Sequence, residues 1–407
     1  MKKKIYIVLL CMMMILSLVG CSKSQKSNDA NSNTNILDTS YDEILKSAKG
    51  TTVNFYGYGG NEVMNKWFDT YVIPQMKEKY DIKVKRVGMN IDDIMNKLLS
   101  EKQAKSKDGV IDVVWINGEN FKTAKENNLL LGSFTEKLPN FNDYIDKTSE
   151  TINTDFGTPV DGLEAPWGKA EFVVIKDTGK VPQNIEDTET LKEVIIKNPG
   201  KFTYPALPDF EGSAFVRNVI YDIVGYENLI NLPENEDEVR KVIQPAMDYL
   251  NEIKPYLWNK GETYPATIAQ LDNMYSDGEV YFTMTYSPNT VKGKIDSNEY
   301  SKDTEIIAFD KGNISNTHFL TIPENAPNKE GAMVLINFLM SIDAQASKTD
   351  TANWGDMTVL DMDKVPNEEK SKFSETAEFG KTLPELNAGL VPIIEKIWTE
   401  EVLQNGK

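Results

Sequence analysis

The side chains here that invite chemistry are suited to holding a small molecule rather than attacking one. Gly57-Tyr58-Gly59-Gly60 places three glycines around one aromatic residue. Gly59 and Gly60 let a backbone approach a guest closely, and Tyr58 offers a ring and a hydroxyl. Trp115-Ile116-Asn117-Gly118-Glu119-Asn120 combines an indole, two amides and a carboxylate. Asn117 and Asn120 can orient a ligand, and Trp115 can point either way. Glu119 can pair with a cation or complement a helix dipole. Trp167 can stack on a flat or cationic group, or pack a hinge. Glu211-Gly212-Ser213 opens a helical pattern. Free N–H groups and the Ser213 hydroxyl there can take a carboxylate or phosphate, unless Ser213 is only a cap. Tyr204, Tyr286 and Trp354 are further aromatic candidates that would serve a core equally well.

Catalytic and metal chemistry is thinly supplied. His318 is the sole histidine, and it lies in an apolar stretch. No G-x-S-x-G elbow accompanies it. No His/Cys grouping suits zinc or copper, and no adjacent tyrosine pair suggests a ferric-tyrosinate centre. Gly162 to Ala170 (GLEAPWGKA) resembles a phosphate-binding loop, but it has one residue too many and Ala170 where Ser or Thr is needed. Neither cofactor nor metal is expected. Abundant acids leave a glycosidase-like carboxylate pair open.

Alternating elements must carry these residues. Thr51–Tyr56, Ile82–Val87 and Val110–Ile116 read as buried strands. Helical patterns follow, capped at Asn61 and kinked at Pro74. Ala170–Lys176, Lys201–Tyr204, Glu279–Thr285 and His318–Ile322 read as later strands. Gly212–Ile223, Lys329–Met340, Ile342–Ala346 and Val391–Leu403 read as helices. Strands alternating with helices predict an α/β fold. In open α/β sheets ligands sit beyond the carboxyl ends of strands, which selects the loops at Tyr58 and Asn117.

The first 40 residues read differently. Lys2, Lys3 and Lys4 precede an apolar run, Ile5 to Val19, that is short for a membrane span and suits a secretory leader. It ends Leu18-Val19-Gly20-Cys21, which resembles the lipobox of bacterial lipoproteins. The resemblance implies cleavage before Cys21 and lipidation of its thiol. Residues 22–40, rich in Ser, Asn, Asp, Lys and Gln, read as a flexible tether. Cys11 leaves with the leader, so the fold has no disulfide. The net charge of −18 argues against a nucleic-acid partner and weakly favours neutral or cationic ligands.

Several blocks occur in a specific order. Trp115 to Phe121 (WINGENF) is followed by Leu138 to Phe141 (LPNF) and Glu164 to Ala170 (EAPWGKA). Then come Ser287-Pro288-Asn289, Asn316 to Phe319 (NTHF) and Trp354-Gly355-Asp356. Together they resemble the YnjB-type solute-binding proteins of ABC importers. The resemblance implies a two-lobed type II periplasmic-binding-protein fold, with a hinge and a ligand cleft between the lobes. It divides the chain into a leader (1–20), a tether (21–40), a first lobe (41–169), a second lobe (170–314) and a return to the first lobe (315–407). Expected partners are a small solute, a permease pair with its ATPase, and the membrane through the lipid. The protein is expected to act as a monomer on the outer face of that membrane. A thiamine-like or small cationic solute is favoured, with a sugar or anion left open. An extracellular hydrolase of glycan or cell wall, or a ligand-presenting sensor, are the alternatives.

Overall fold

Strand β1 (Thr52–Gly57) alternates half-buried and buried residues, as a strand packed on one face should. It runs parallel to β2 (Lys83–Gly88) on one side and β3 (Val113–Ile116) on the other. The computed structural model from which this architecture is read describes residues 35–374 and 379–404. The leader, Cys21 and residues 22–34 of the tether lie outside the described residues.

A short hairpin, β4 (Thr154–Asp155) and β5 (Thr158–Pro159), precedes β6 (Glu164–Glu171) and β7 (Val173–Asp177). Strands β8 (Phe282–Thr285), β9 (Thr304–Ile307), β10 (Asn313–Thr321) and β11 (Thr382–Pro384) complete the set. The first sheet runs β11-β10-β3-β1-β2, with β6 antiparallel to β10. The second runs β8-β7-β9.

Each sheet has its own core. Val53, Phe55 and Val113 face one cluster with the buried side of α5 (Lys329–Leu339), and Val114 and Ile116 face another on the opposite side of the first sheet. The second sheet packs under α3 (Phe210–Val224) and α4 (Glu236–Ile253). Between the sheets β6 passes almost directly into β7. At the break the Phe172 N–H donates to the Ile314 carbonyl at the start of β10 (2.7 Å).

Most predicted elements are present, including helix α1 (Glu62–Trp67) and its Asn61 cap, whose Oδ1 accepts from the Met64 N–H at 2.9 Å. Pro74, lacking a donor, follows a wider π-type stretch at Phe68–Val72. Four readings need correction. The strand read from Ala170 starts earlier, at Glu164: Pro166 is accommodated because β6 is an edge strand whose register with β10 shifts between His318 and Phe319. Lys201–Tyr204 forms no strand, although Phe202 and Tyr204 are core residues. The tether read as reaching residue 40 overlaps packed chain, because Ile36–Asp38 is a short 3-10 helix whose Ile36 and Leu37 pack on the first core. Finally, α6 (Leu390–Trp398) packs in the second sheet's core with Ile394, Ile397 and Trp398, so the chain's last segment does not return wholly to the first.

Candidate functional site

Two of the candidates lie beyond strand ends and near α3: Tyr58, after β1, is close to Glu211 and Asp209, and Glu119, after β3, is close to Arg217. Tyr58 is exposed. Burial of its hydroxyl, with Glu211, Asp209 and Asp272 nearby, pushes it up to about 12. Glu119, in the first turn of α2 (Gly118–Glu126), lies half-buried near Arg217, Glu395 and Glu385. Burial raises its carboxyl, and the two acids add to that against the opposing Arg217. Asn120 donates to Glu119 Oε1 (3.0 Å).

From α3 come Glu211, Ser213 and Arg217, and from the residue after β8 comes Tyr286. Arg217, buried within α3, is clasped by Glu385 just past β11: Nε to Oε2 is 3.1 Å and Nη2 to Oε1 is 3.2 Å. The Tyr286 hydroxyl donates to Glu385 Oε1 (2.6 Å), and Asn316 Nδ2 approaches the same oxygen at 3.4 Å. Ser213 Oγ accepts from Arg217 Nη1 (2.6 Å) and donates to Glu395 Oε1 of α6 (2.7 Å). Burial raises the Glu395 carboxyl, against Ser213 and Arg217, which favour its charged form. Glu211 is pushed up to about 8 by burial and by Asp209. Carboxylates therefore outnumber cations around Arg217 and the start of α3.

Several candidate roles change. Asp209 already caps α3, Oδ1 accepting from the Gly212 N–H at 3.0 Å. With the Ser213 hydroxyl also committed and three acids beside it, this helix start is a poor anion site. Gly59 and Gly88 face each other so closely that a Cβ on either would lie 3.0 Å from the other's Cα. The Tyr58 ring folds over Gly60. These glycines serve packing between loops. Asn117 is occupied as a tie, accepting from Trp115 Nε1 (3.1 Å) and donating to the Thr317 carbonyl (2.6 Å). Trp115 is half-buried and meets Trp167 edge-on at 5.1 Å. Trp167, Trp354 and Tyr204 are core residues with at most 1 % exposure, so they are corrected from ligand contact to packing.

Sequence reading missed Arg217, Glu385, Glu395 and the exposed Phe210, whose ring lies 4.9 Å from Tyr286. The usable signal was Arg217 itself, one of three arginines, set inside an apolar helix (AFVRNVI). His318 stacks on Trp354 (ring centroids 6.1 Å apart, 15° between planes) with Nε2 3.4 Å from Asp356 Oδ1, inside the aromatic cluster. Among the described residues no group of His, Cys, Asp and Glu is arranged to hold a metal, and no helix is long and apolar enough to cross a membrane.

Glu164 supplies a testable consequence of burial. Its side chain is fully buried, and neither oxygen has a hydrogen-bond partner. Burial, then the neighbouring Asp155, holds its carboxyl well above the usual range, only partly countered by Lys125. A carboxyl raised on folding stabilises the protein fully below its unfolded value, about 4.3, and that contribution is lost as pH rises through the folded value. Glu164→Met is therefore expected to gain on the wild type in melting temperature as pH is raised from 5 to 9. Parallel melting curves across that range would refute this.

The match to known proteins is consistent with this architecture. The model of the family described as bacterial extracellular solute-binding protein matches residues 72–359. Protein YnjB of Escherichia coli (strain K12) is 35 % identical over 362 residues, covering 88 % of this chain and 92 % of that protein. Among solved structures, an ABC transporter protein from Clostridium perfringens is similar at TM-score 0.58 with 18 % identity, over 86 % of this chain and 98 % of that one. A putative spermidine/putrescine ABC transporter protein from Listeria monocytogenes gives TM-score 0.61 at 16 % identity, over 86 % and 98 %. The apo ferric ion-binding protein A of Pasteurella haemolytica gives 0.62 at 13 %, over 88 % and 99 %. The two sheets are thus the two lobes of a type II periplasmic-binding-protein fold, with the hinge and ligand cleft between them. Its matched relatives are transport binding proteins rather than enzymes, and the chain belongs to the bacterial extracellular solute-binding protein family.

Proposed function

We propose that this protein captures a small organic cation between its lobes, without altering it, and delivers it to the permease pair and ATPase of an ABC importer. Lipidation of Cys21, after loss of residues 1–20, holds a monomer at the outer face of the membrane. The lobes divide near residues 170 and 314, with α6 assigned to the second. The supporting observation for a cation is the cleft's surplus of carboxylates: Glu119, Glu385 and Glu395 lie around one arginine, Glu211 lies beside Asp209 at the start of α3, and burial raises Glu119, Glu211 and Glu395. A cationic guest supplies the charge these acids lack. Tyr58 and Phe210, both exposed near Glu211, offer ring faces to a flat or cationic solute.

A thermal-shift panel of thiamine, putrescine, spermidine, a neutral sugar and phosphate tests this. A cation present at about a hundredfold over its dissociation constant should add about 2.7 kcal/mol. Because the guest favours ionised carboxylates, binding should release protons and tighten as pH rises from 6 towards 8. Calorimetry in buffers of different ionisation enthalpy reads that release. Stabilisation by phosphate or sugar alone, or chemical conversion of the guest, would overturn the reading.

A further inference from the structure

Phe156 holds an unusual place for a large aromatic residue. It and Gly157 form the two-residue turn between β4 and β5, with φ of 45° and 69°. Tight turns with two positive φ values favour Asn-Gly, and a bulky residue at positive φ is a genuine outlier. Here the strained position carries a ring that is only 4 % exposed.

That ring joins parts of both lobes. It clusters with Ala388 and Val391, next to and within α6 of the second lobe, and the Ala388 N–H donates to the Phe156 carbonyl (2.8 Å). The Arg217 guanidinium lies 5.7 Å from the ring centre. On the first-lobe side the ring covers Gly118, where a Cβ would lie 3.2 Å from its carbons. Next door, Asp155 Oδ2 accepts from the Gly118 N–H (2.7 Å). The hairpin tip therefore touches the residue before Glu119 on one side and the Arg217 clasp on the other.

We infer that Phe156 is a positioning residue for solute capture: it docks between the lobes as the cleft closes, and sets Glu119 and Arg217 in their closed arrangement. The inference rests on the solute-binding reading and adds to it how the protein couples closure to site geometry. A purely structural ring would need no strained turn tip reaching across the lobe boundary. Strain of this kind persists where the surroundings over-determine it, and it clusters at ligand clamps.

The test is small-angle X-ray scattering of the ligand-free protein, fitted as open and closed forms. Phe156→Ala should lower the closed-to-open ratio about tenfold, the scale of one lost aromatic contact, with helix content by circular dichroism unchanged. If Phe156→Ala does not fold, Phe156→Leu keeps the apolar contact but loses the ring over Arg217, and should give a smaller expansion. Scattering identical to wild type from a folded variant overturns the inference. Because the readout needs no solute, it is independent of the cation panel: failure of every solute to bind would overturn the proposed function and leave the scattering result standing.

Discussion

Glu385→Ala is expected to destabilise the protein by about 3–5 kcal/mol, the cost of leaving one partner of a buried ion pair uncompensated. Arg217 and Glu385 are almost wholly buried, at 1 % and 3 % side-chain exposure. Truncation strips the guanidinium of both its carboxylate contacts. It also leaves the Tyr286 hydroxyl without its acceptor, another cost to the folded state. The double variant Arg217→Met/Glu385→Leu removes both charges and should recover most of the loss, since an apolar replacement of a buried pair is often neutral. Urea unfolding reads both effects through the midpoint at constant slope. A double variant as unstable as the single one would mean that the clasp matters through its shape rather than its charge. The clasp links a helix of the second lobe to the segment after β11, so single variants should also disturb the cleft.

The legible parts of this fold are those whose signal is local. The short apolar stretch read as a strand at Thr51–Tyr56 and the longer one read as a helix at Lys329–Met340 correspond to the strand Thr52–Gly57 and the helix Lys329–Leu339. Tyr58 and Glu119 could be proposed from the sequence because ligands sit beyond strand carboxyl ends, and a strand end can be read in one dimension. Direction and distance could not be read. Nothing local tells whether Trp167 or Trp354 turns to the cleft or to the core, and both turn inward. Arg217 and Glu385 are 168 residues apart, so neither announces the other. Glu164 escaped notice because nothing local marks an acid for burial, and only the packing around β6 encloses it. The Ser213 hydroxyl, read as an anion ligand or a cap, is instead tied to Arg217 and Glu395. Asp209, two residues upstream of the Glu211-Gly212-Ser213 block, had already taken the cap.

Trp167→Ala is expected to cost about 3–5 kcal/mol as a core truncation. Its ring is fully buried, 5.1 Å from Trp115, 5.1 Å from Trp354 and 6.1 Å from Phe55. The indole N–H has no hydrogen-bond partner, so its removal breaks no polar contact and the loss is one of packing alone. Trp167→Phe, which keeps an aromatic ring in the cluster, should therefore be much milder. Tyr58→Ala provides the contrast. Its ring is 45 % exposed in the loop after β1, so melting temperature should change little while, on the proposed function, binding of the stabilising solute weakens. Melting temperatures and solute titrations on the three variants separate the core from the site. A Trp167→Ala protein that melts with the wild type but binds solute more weakly would move Trp167 back into the cleft.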